Sequence, residues 1–202
     1  EQVDWHLHGA PVYIAGVTGN FRLRMPSGAW TTCRAAVIPA GVRHALDLGG
    51  EPLAVFYPEP NIAGMSALRC FGHGWEEHEQ ILLGNHAEVG AFRELYENAA
   101  GVHWSGEALD DLLGFALRRD GANALDARLA RVIAWLDEHP EDLTGAGKLA
   151  NSQGLSSSRF LHLFSQQIGV PFRRYRIWNR VRAAMKIALT GSNLTDSAMT
   201  AG

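Results

Sequence analysis

Residues 148–164 constrain the fold of this chain more than any other stretch, because they have the pattern of two short helices around a tight turn. Ala150 is small enough to let two helices cross closely, and Gly154 can adopt the positive φ that ends a helix. Ser156 is a favourable N-cap for the helix that follows. Apolar residues then recur at helical spacing, at Phe160, Leu163 and Phe164. This pattern predicts a helix-turn-helix, a motif whose second helix enters the major groove of DNA.

The charges of the chain are divided between its two ends. Residues 1–125 carry 8 Lys and Arg against 15 Asp and Glu, whereas residues 148–202 carry 8 Lys and Arg against one acid, Asp196. The net charge of −3 would by itself argue against a nucleic-acid binder. Its division predicts instead two modules with different partners, of which the C-terminal one can meet DNA.

Cysteine use and hydropathy indicate where the protein works. Cys33 and Cys70 have neither the spacing of a disulfide framework nor that of a metal-binding pair, so we expect reduced thiols. No run has the length of a membrane span, and there is no basic-then-apolar signal peptide. The sequence therefore predicts a cytoplasmic protein without membrane contact.

The first 60 residues predict a β-rich module, and the period of the pattern then changes. Gly and Pro separate short apolar or alternating runs, which we expect to be strands of a small β-barrel or sandwich. These runs lie at residues 12–17, 20–24, 35–38 and 53–57. Residues 61–122 have helical stripes near 89–96 and 109–116, and they predict a helical segment that forms a dimer contact. Within it, residues 69–79 are expected to be a solvated charged turn in preference to a metal site built from its histidines and glutamates, and residues 120–124 a linker.

The C-terminal part, residues 126–202, is predicted to be all helical. A stripe of apolar residues marks a helix that ends near His139-Pro140, and Pro171 begins a long basic helix. The members of the stripe are Leu125, Leu129, Val132, Ile133 and Leu136. Ala198 and Gly202 repeat the spacing of Ala150 and Gly154. We therefore expect the natural chain to continue past Gly202 into a second recognition helix, that is, a second helix that enters the major groove.

This region resembles the DNA-binding domain of the AraC/XylS family of bacterial transcription regulators, in which a long helix joins two helix-turn-helix units. The resemblance implies a regulator that binds double-stranded DNA and is not an enzyme, cut short at its C-terminus. It departs from the family at Ser197, where Val or Ile is usual, and at the missing second recognition helix. The residues that carry it are Leu149-Ala150, Gly154-Leu155-Ser156, Ser158-Arg159-Phe160, Leu163-Phe164, Gly169-Val170-Pro171-Phe172, Tyr175, Arg180-Val181-Arg182-Ala183-Ala184, Leu194-Thr195-Asp196, Ala198 and Gly202.

The expected burial of Phe160, Leu163 and Phe164 turns the other face of the recognition helix outward. That face carries the candidates for base-edge contacts, Ser157, Ser158, Leu161 and His162. Candidates for phosphate contacts are Ser156, Arg159, Arg173 and Arg174. On the long basic helix that begins at Pro171, Arg176, Arg180 and Arg182 either meet phosphates or solvate the helix face.

Three histidines form a second constellation, near the N-terminus. His6 and His8 are two residues apart, so on a strand they share a face, and His44 could complete a facial metal site for Zn, Ni or Fe. The spacings resemble the two histidine motifs of cupins, but Val12 stands where metal-binding cupins have Glu or Gln. The matching positions are His6, His8, Gly19, Pro39, Gly41 and His44. The alternative is a metal-free pocket that the histidines merely line, with no cofactor required.

Four aromatic residues of the same module either line a pocket for a small-molecule effector or belong to an ordinary core. They are Trp5, Tyr13, Trp30 and Phe56. We interpret the chain as an α+β protein with a cupin-like barrel at residues 1–60, a helical middle segment and a helix-turn-helix domain. The predicted function is that of an effector-controlled, homodimeric transcription regulator. One alternative is a metal-dependent cupin enzyme with a helical tail, and another is a truncated regulator that acts by pairing with intact partners.

Overall fold

The computed structural model describes residues 2–58, 65–98 and 125–189, together with residues 193, 195, 196 and 199. The chain divides into two compact units, residues 1–122 and 123–202. Three features expected from the sequence lie outside the described residues: the helix near 109–116, the linker at 120–124 and the two residues of the repeat, Ala198 and Gly202.

The described part of the N-terminal unit consists mainly of short strands. They are β1 (Gln2–His6), β2 (Val12–Gly16), β3 (Phe21–Arg24), β4 (Trp30–Cys33), β5 (Ala35–Ile38), β6 (His44–Asp47), β7 (Leu53–Phe56), β8 (Gly72–His73), β9 (Glu76–His78), β10 (Ile81–Gly84) and β11 (His86–Ala87). All four runs that the sequence marked as strands are confirmed. The other seven strands, which are β1, β4, β6 and the four from Gly72 onward, were not among those runs.

The strands pair in antiparallel fashion into two main sheets. One sheet has the order β1-β6-β3-β4 and the other the order β7-β2-β5-β10-β9, while β8 and β11 form a small ribbon. The expected α+β class is confirmed. The expected closed barrel is not seen among the described strands, because β1 and β4 end one sheet and β7 and β9 end the other.

Alternation along β2 separates two hydrophobic cores. Val12 and Ile14 face a cluster that also contains Phe21 and Leu23, so this core lies between the two sheets. Tyr13 and Ala15 point to the other face of the five-stranded sheet. There the sheet is covered by α1 (Met65–Leu68), a 3₁₀ turn (Arg69–Phe71) and α2 (Gly90–Glu97).

The expectation of a helical segment over residues 61–122 is corrected by β8 to β11. β10 is fully buried and pairs with β5, so it is an inner strand of the five-stranded sheet. The residues expected to form a charged turn supply β9, an exposed edge strand in which charged side chains reach solvent. A strand buried on both faces shows no alternation, and this is why the periodicity of the sequence did not indicate it.

The C-terminal unit is helical, as the sequence predicts. Its described helices are α3 (Ala127–Glu138), α4 (Ala146–Ser152), α5 (Ser157–Ile168) and α6 (Phe172–Leu189). The predicted stripe of α3 is buried at Leu129, Val132, Ile133 and Leu136. In the described parts of both units, no helix is long and apolar enough to cross a membrane.

The turn between α4 and α5 has the predicted form. Gly154 has a φ of 67°, which is the left-handed conformation that a side chain disfavours. Ser156 is the N-cap of α5, and its side-chain oxygen accepts a hydrogen bond from the backbone N–H of Arg159 at 3.3 Å. Phe160, Leu163 and Phe164 are buried, so α5 packs by the face that the sequence indicated.

The long helix α6 packs by a face that includes a polar residue. Phe172, Tyr175 and Asn179 are buried, whereas Val181 and Met185 are exposed. Asn179 donates a hydrogen bond to the carbonyl of Leu136 in α3 at 2.6 Å. A polar residue can therefore occupy the core position, because a backbone acceptor satisfies it there.

Substituting the turn glycine tests how strongly the backbone specifies this pair of helices. Gly154→Ala should lower the free energy of unfolding of the C-terminal unit by about 1–2 kcal/mol, because the new Cβ must sit at positive φ. Gly147→Ala is the matched control, since an added Cβ at either position meets no atom within 4 Å. In helix α4 that control should be stabilising by about 0.5–1 kcal/mol. Urea unfolding followed by circular dichroism measures both, and equal effects would contradict the turn geometry.

Candidate functional site

Three histidines of the N-terminal unit lie side by side, as the sequence predicts. His6 ends β1 and pairs in register with His44, the first residue of β6, while His8 follows two residues after β1 ends. The ring centroids of His6 and His44 are 4.3 Å apart, and that of His8 lies 4.9 Å from His6 and 5.0 Å from His44. One ring nitrogen from each residue lies within 4.8 Å of the others. We refer to His6, His8 and His44 as the histidine cluster.

Hydrogen bonds on the Nδ1 atoms orient all three rings. Nδ1 of His6 is 2.8 Å from the carbonyl oxygen of Asp4, and Nδ1 of His44 is 3.0 Å from that of Val42. Nδ1 of His8 shares a hydrogen bond of 3.0 Å with the hydroxyl of Tyr57. Because a carbonyl only accepts, Nδ1 carries the proton in His6 and His44 and their Nε2 atoms keep a free lone pair.

Two members of the cluster, His8 and His44, are electrically neutral at neutral pH. His44 has no exposed surface, and the Nε2 atoms of His8 and His44 are buried without a hydrogen-bond partner. Burial, together with smaller effects from the neighbouring imidazoles of His44 and His6, lowers the pKa of His8 to about 4. Burial likewise lowers the pKa of His44 to about 4, with a smaller effect from His6, against the raising effect of the Val42 carbonyl. Neutral imidazoles are the form that binds metal ions.

Tyr57 is a member of this site that the sequence did not reveal. It follows β7 and is separated from His8 by 49 residues, so only the pairing of distant strands brings the two together. No local pattern marks such a partner.

The expected effector pocket is not assembled from its four aromatic residues. Tyr13 and Phe56 belong to the core under α1 and α2, where the Tyr13 hydroxyl donates to the carbonyl of Phe71 at 2.7 Å. Trp5 and Trp30 lie elsewhere, with the Arg24 guanidinium 5.1 Å and 5.7 Å from their ring centroids. Arg24 alternates with the buried Leu23 on β3, so these indoles lie on the outer face of the four-stranded sheet.

In the C-terminal unit, the candidate base-contacting residues share an exposed face of α5. Ser157, Ser158, Leu161 and His162 are all exposed, opposite the buried Phe160 and Phe164. Among the candidate phosphate-contacting residues, Ser156, Arg159 and Arg173 are exposed and Arg174 is half-buried. Acidic residues are absent from α5, so nothing on the helix opposes the approach of a phosphate backbone.

Three further arginines of α6 bind protein groups instead. Arg176 donates to the carbonyl of Thr144 at 2.8 Å, and Arg180 to that of Pro140 at 3.3 Å. Arg182 donates to the Asp137 carboxylate at 2.6 Å. Arg176 and Arg180 therefore hold the segment between α3 and α4, and Arg182 binds α3 itself. The sequence had predicted either phosphate contact or solvation for all three.

Acidification tests the neutral state of His44. Because the folded-state pKa of His44 lies below its ordinary value of 6.5, the unfolded chain binds more protons between about pH 6.5 and 4, and stability should fall as pH is lowered through this window. In chelator-treated protein, His44→Gln should lose about 2 kcal/mol less unfolding free energy than the parent between pH 7 and pH 5. The exposed His86→Gln is the control for urea unfolding at the two pH values. Parallel losses in all three proteins would contradict the burial of neutral His44.

No protein-family model matches the chain, and no curated protein matches it either. Among solved structures, the chain is similar to ToxT from Vibrio cholerae. Wild-type ToxT with a bound unsaturated fatty acid has a TM-score of 0.59 at 13% identity, and the match covers 100% of this chain and 82% of that one. ToxT bound to (E)-4-(8-methylnaphthalen-1-yl)but-3-enoic acid gives 0.57 at 13%, covering 99% and 85%. A further ToxT structure gives 0.55 at 14%, covering 99% and 84%. The chain therefore shares the fold of ToxT.

Proposed function

We propose that this chain is a ligand-responsive transcription regulator of the AraC type. Its C-terminal unit would bind double-stranded DNA, and its N-terminal unit would bind the ligand that changes the affinity for DNA. The fold shared with ToxT, an AraC-family regulator, supports this function. It is also consistent with the sequence resemblance of residues 126–202 to the DNA-binding domain of that family.

The single observation that carries the proposal is the exposed face of α5. The helix is anchored by Phe160 and Phe164, capped by Ser156 and free of acidic residues. His162 and the two serines, Ser157 and Ser158, offer hydrogen-bonding groups to base edges, and Leu161 offers an apolar contact to a thymine methyl group. Around this face, Arg159, Arg173 and Arg174 are available to phosphates.

We further propose that the regulator works in the cytoplasm as a homodimer. A two-fold dimer would present two α5 helices to successive turns of the major groove. Within the segment expected to form the dimer contact, α2 already packs Phe92 against the core of its own unit. The proposed contact therefore involves the exposed side of α2, which includes Tyr96, or the rest of residues 61–122.

Two substitutions separate base reading from phosphate contact. His162→Ala should cost about 1–3 kcal/mol at one base-pair position and relax the sequence preference there. Arg173→Ala should weaken binding to all sequences alike, and it should lower the slope of log affinity against log salt by about one unit. Sites selected from a random DNA library provide the specific duplex, and both variants are titrated over a salt series.

The control is Glu138→Ala, at an exposed position of α3, which should leave affinity and salt slope unchanged. An unchanged ratio of specific to random affinity in His162→Ala would contradict the proposed orientation of α5. A chain that binds metal yet has no affinity for any duplex would favour the metal-dependent enzyme instead.

A further inference from the structure

We propose that the histidine cluster binds one divalent first-row transition-metal ion, and that this ion is the ligand to which the N-terminal unit responds. The metal site stands on the geometry of His6, His8 and His44 alone. The second part, the role of the ion as effector, rests on the proposed function.

The three histidines are placed so that they can bind one ion together. Each histidine directs one nitrogen into a common space in which all three lie within 4.8 Å of one another. Two nitrogens bound to one tetrahedral Zn²⁺ lie about 3.4 Å apart, as follows from metal–nitrogen bonds of about 2.0–2.1 Å. Side-chain rotations that move each donor by about 1 Å or less would close the cluster on an ion.

Hydrogen bonds on the far ring nitrogens orient the three donors. The Asp4 and Val42 carbonyls hold the protons of His6 and His44 on Nδ1, and the Tyr57 hydroxyl holds Nδ1 of His8. Partners of this kind on the far nitrogen fix the ring orientation and the tautomer of metal-binding histidines. In residues 2–58 and 65–98, the buried side-chain nitrogens and oxygens that lack a hydrogen-bond partner are Nε2 of His8 and Nε2 of His44. An ion on these atoms would remove the cost of leaving them unsatisfied.

The three imidazoles determine which class of ion the site would bind. Val12 is fully buried in the core between the sheets, so the described site offers three imidazoles and no carboxylate. Such a donor set suits Zn²⁺, Ni²⁺ or Fe²⁺ and disfavours Mg²⁺ and Ca²⁺, which prefer oxygen ligands. The adjoining core is filled by apolar side chains such as Ile38 and Leu46, so an ion fits this interior better than an organic effector.

A bound ion would act on the fold through the edge strand β1. β1 is an edge strand whose pairing with β6 is irregular between Val3 and His6. An ion shared by His6 and His44 would fix the end of β1 to β6, and through His8 and Tyr57 it would tie this edge to β7 of the other sheet. Occupied and empty sites would then differ in the order of β1, which supplies the two states that a switch requires.

The site is tested on the full chain after chelator treatment, with Zn²⁺ and Ni²⁺ as the probes. Equilibrium dialysis should give about one ion per chain, and His6→Ala should weaken binding by at least about 100-fold, more than the loss of an outer-shell partner costs. His6 is half-buried, so this variant should fold, and His44→Gln provides a second removal of a ligand. His78→Ala is the matched control at an exposed position and should bind as the parent does. Equal binding in His6→Ala and His78→Ala, or no ion in the parent, would overturn the site.

The effector role is tested separately with the selected duplex. Adding Zn²⁺ or Ni²⁺ should change DNA affinity by at least about fivefold, and this change should disappear in His6→Ala. Intact metal binding with unaltered DNA affinity would overturn the effector role and leave the site standing. A chain that binds the ion but no DNA would refute the proposed function, and the effector role with it, again without touching the site.

Discussion

The pairing of β2 with β5 is the interaction on which the N-terminal unit depends. Every residue of both strands is buried, and four pairs in register join them, from Val12 with Ile38 to Ala15 with Ala35. Because successive side chains point to opposite faces, this one pair supplies both hydrophobic cores of the unit. Fully burying a side chain such as Ile14 or Val37 contributes about 1.5–3 kcal/mol. The histidine cluster is connected to this pair of strands through Tyr57, which follows β7, the strand that pairs with the other edge of β2.

Local patterns in the sequence were sufficient for four of the strands, β2, β3, β5 and β7, and for the helices of the C-terminal unit. They were insufficient where tertiary pairing decides, as at Ile81–Gly84, which is short, apolar and buried on both faces. The spacing of His6 and His8 identified the cluster, although His8 lies beyond the end of β1. Arg24 of β3 points to the outer face, and its pairing with Trp30 of β4 places that indole there too. The alternation of β2 assigns Tyr13 to the core under the helices. The sequence already contains this alternation, but the sheet pairings are needed to use it.

Part of the positive charge of the C-terminal unit is used in contacts within the protein. The arginines of α6 that bind Thr144, Pro140 and Asp137 stabilise the fold, so the formal charge of residues 148–202 overstates what a DNA duplex would meet. Asp137 also accepts a hydrogen bond from the Tyr175 hydroxyl at 3.0 Å, and burial raises the pKa of this carboxyl. Sequence patterns count such charges without distinguishing those that are used internally.

The exposed strand β9 has a consequence for how copies of this protein meet one another. An edge strand presents unpaired backbone groups to which a second chain could add its own strand. Glu76, Glu77 and His78 make up β9, and all three are exposed. A like strand brought alongside would place carboxylates against carboxylates, and repulsion would oppose the pairing. The same residues that concealed this strand from pattern recognition thus protect the five-stranded sheet from polymerising along that edge.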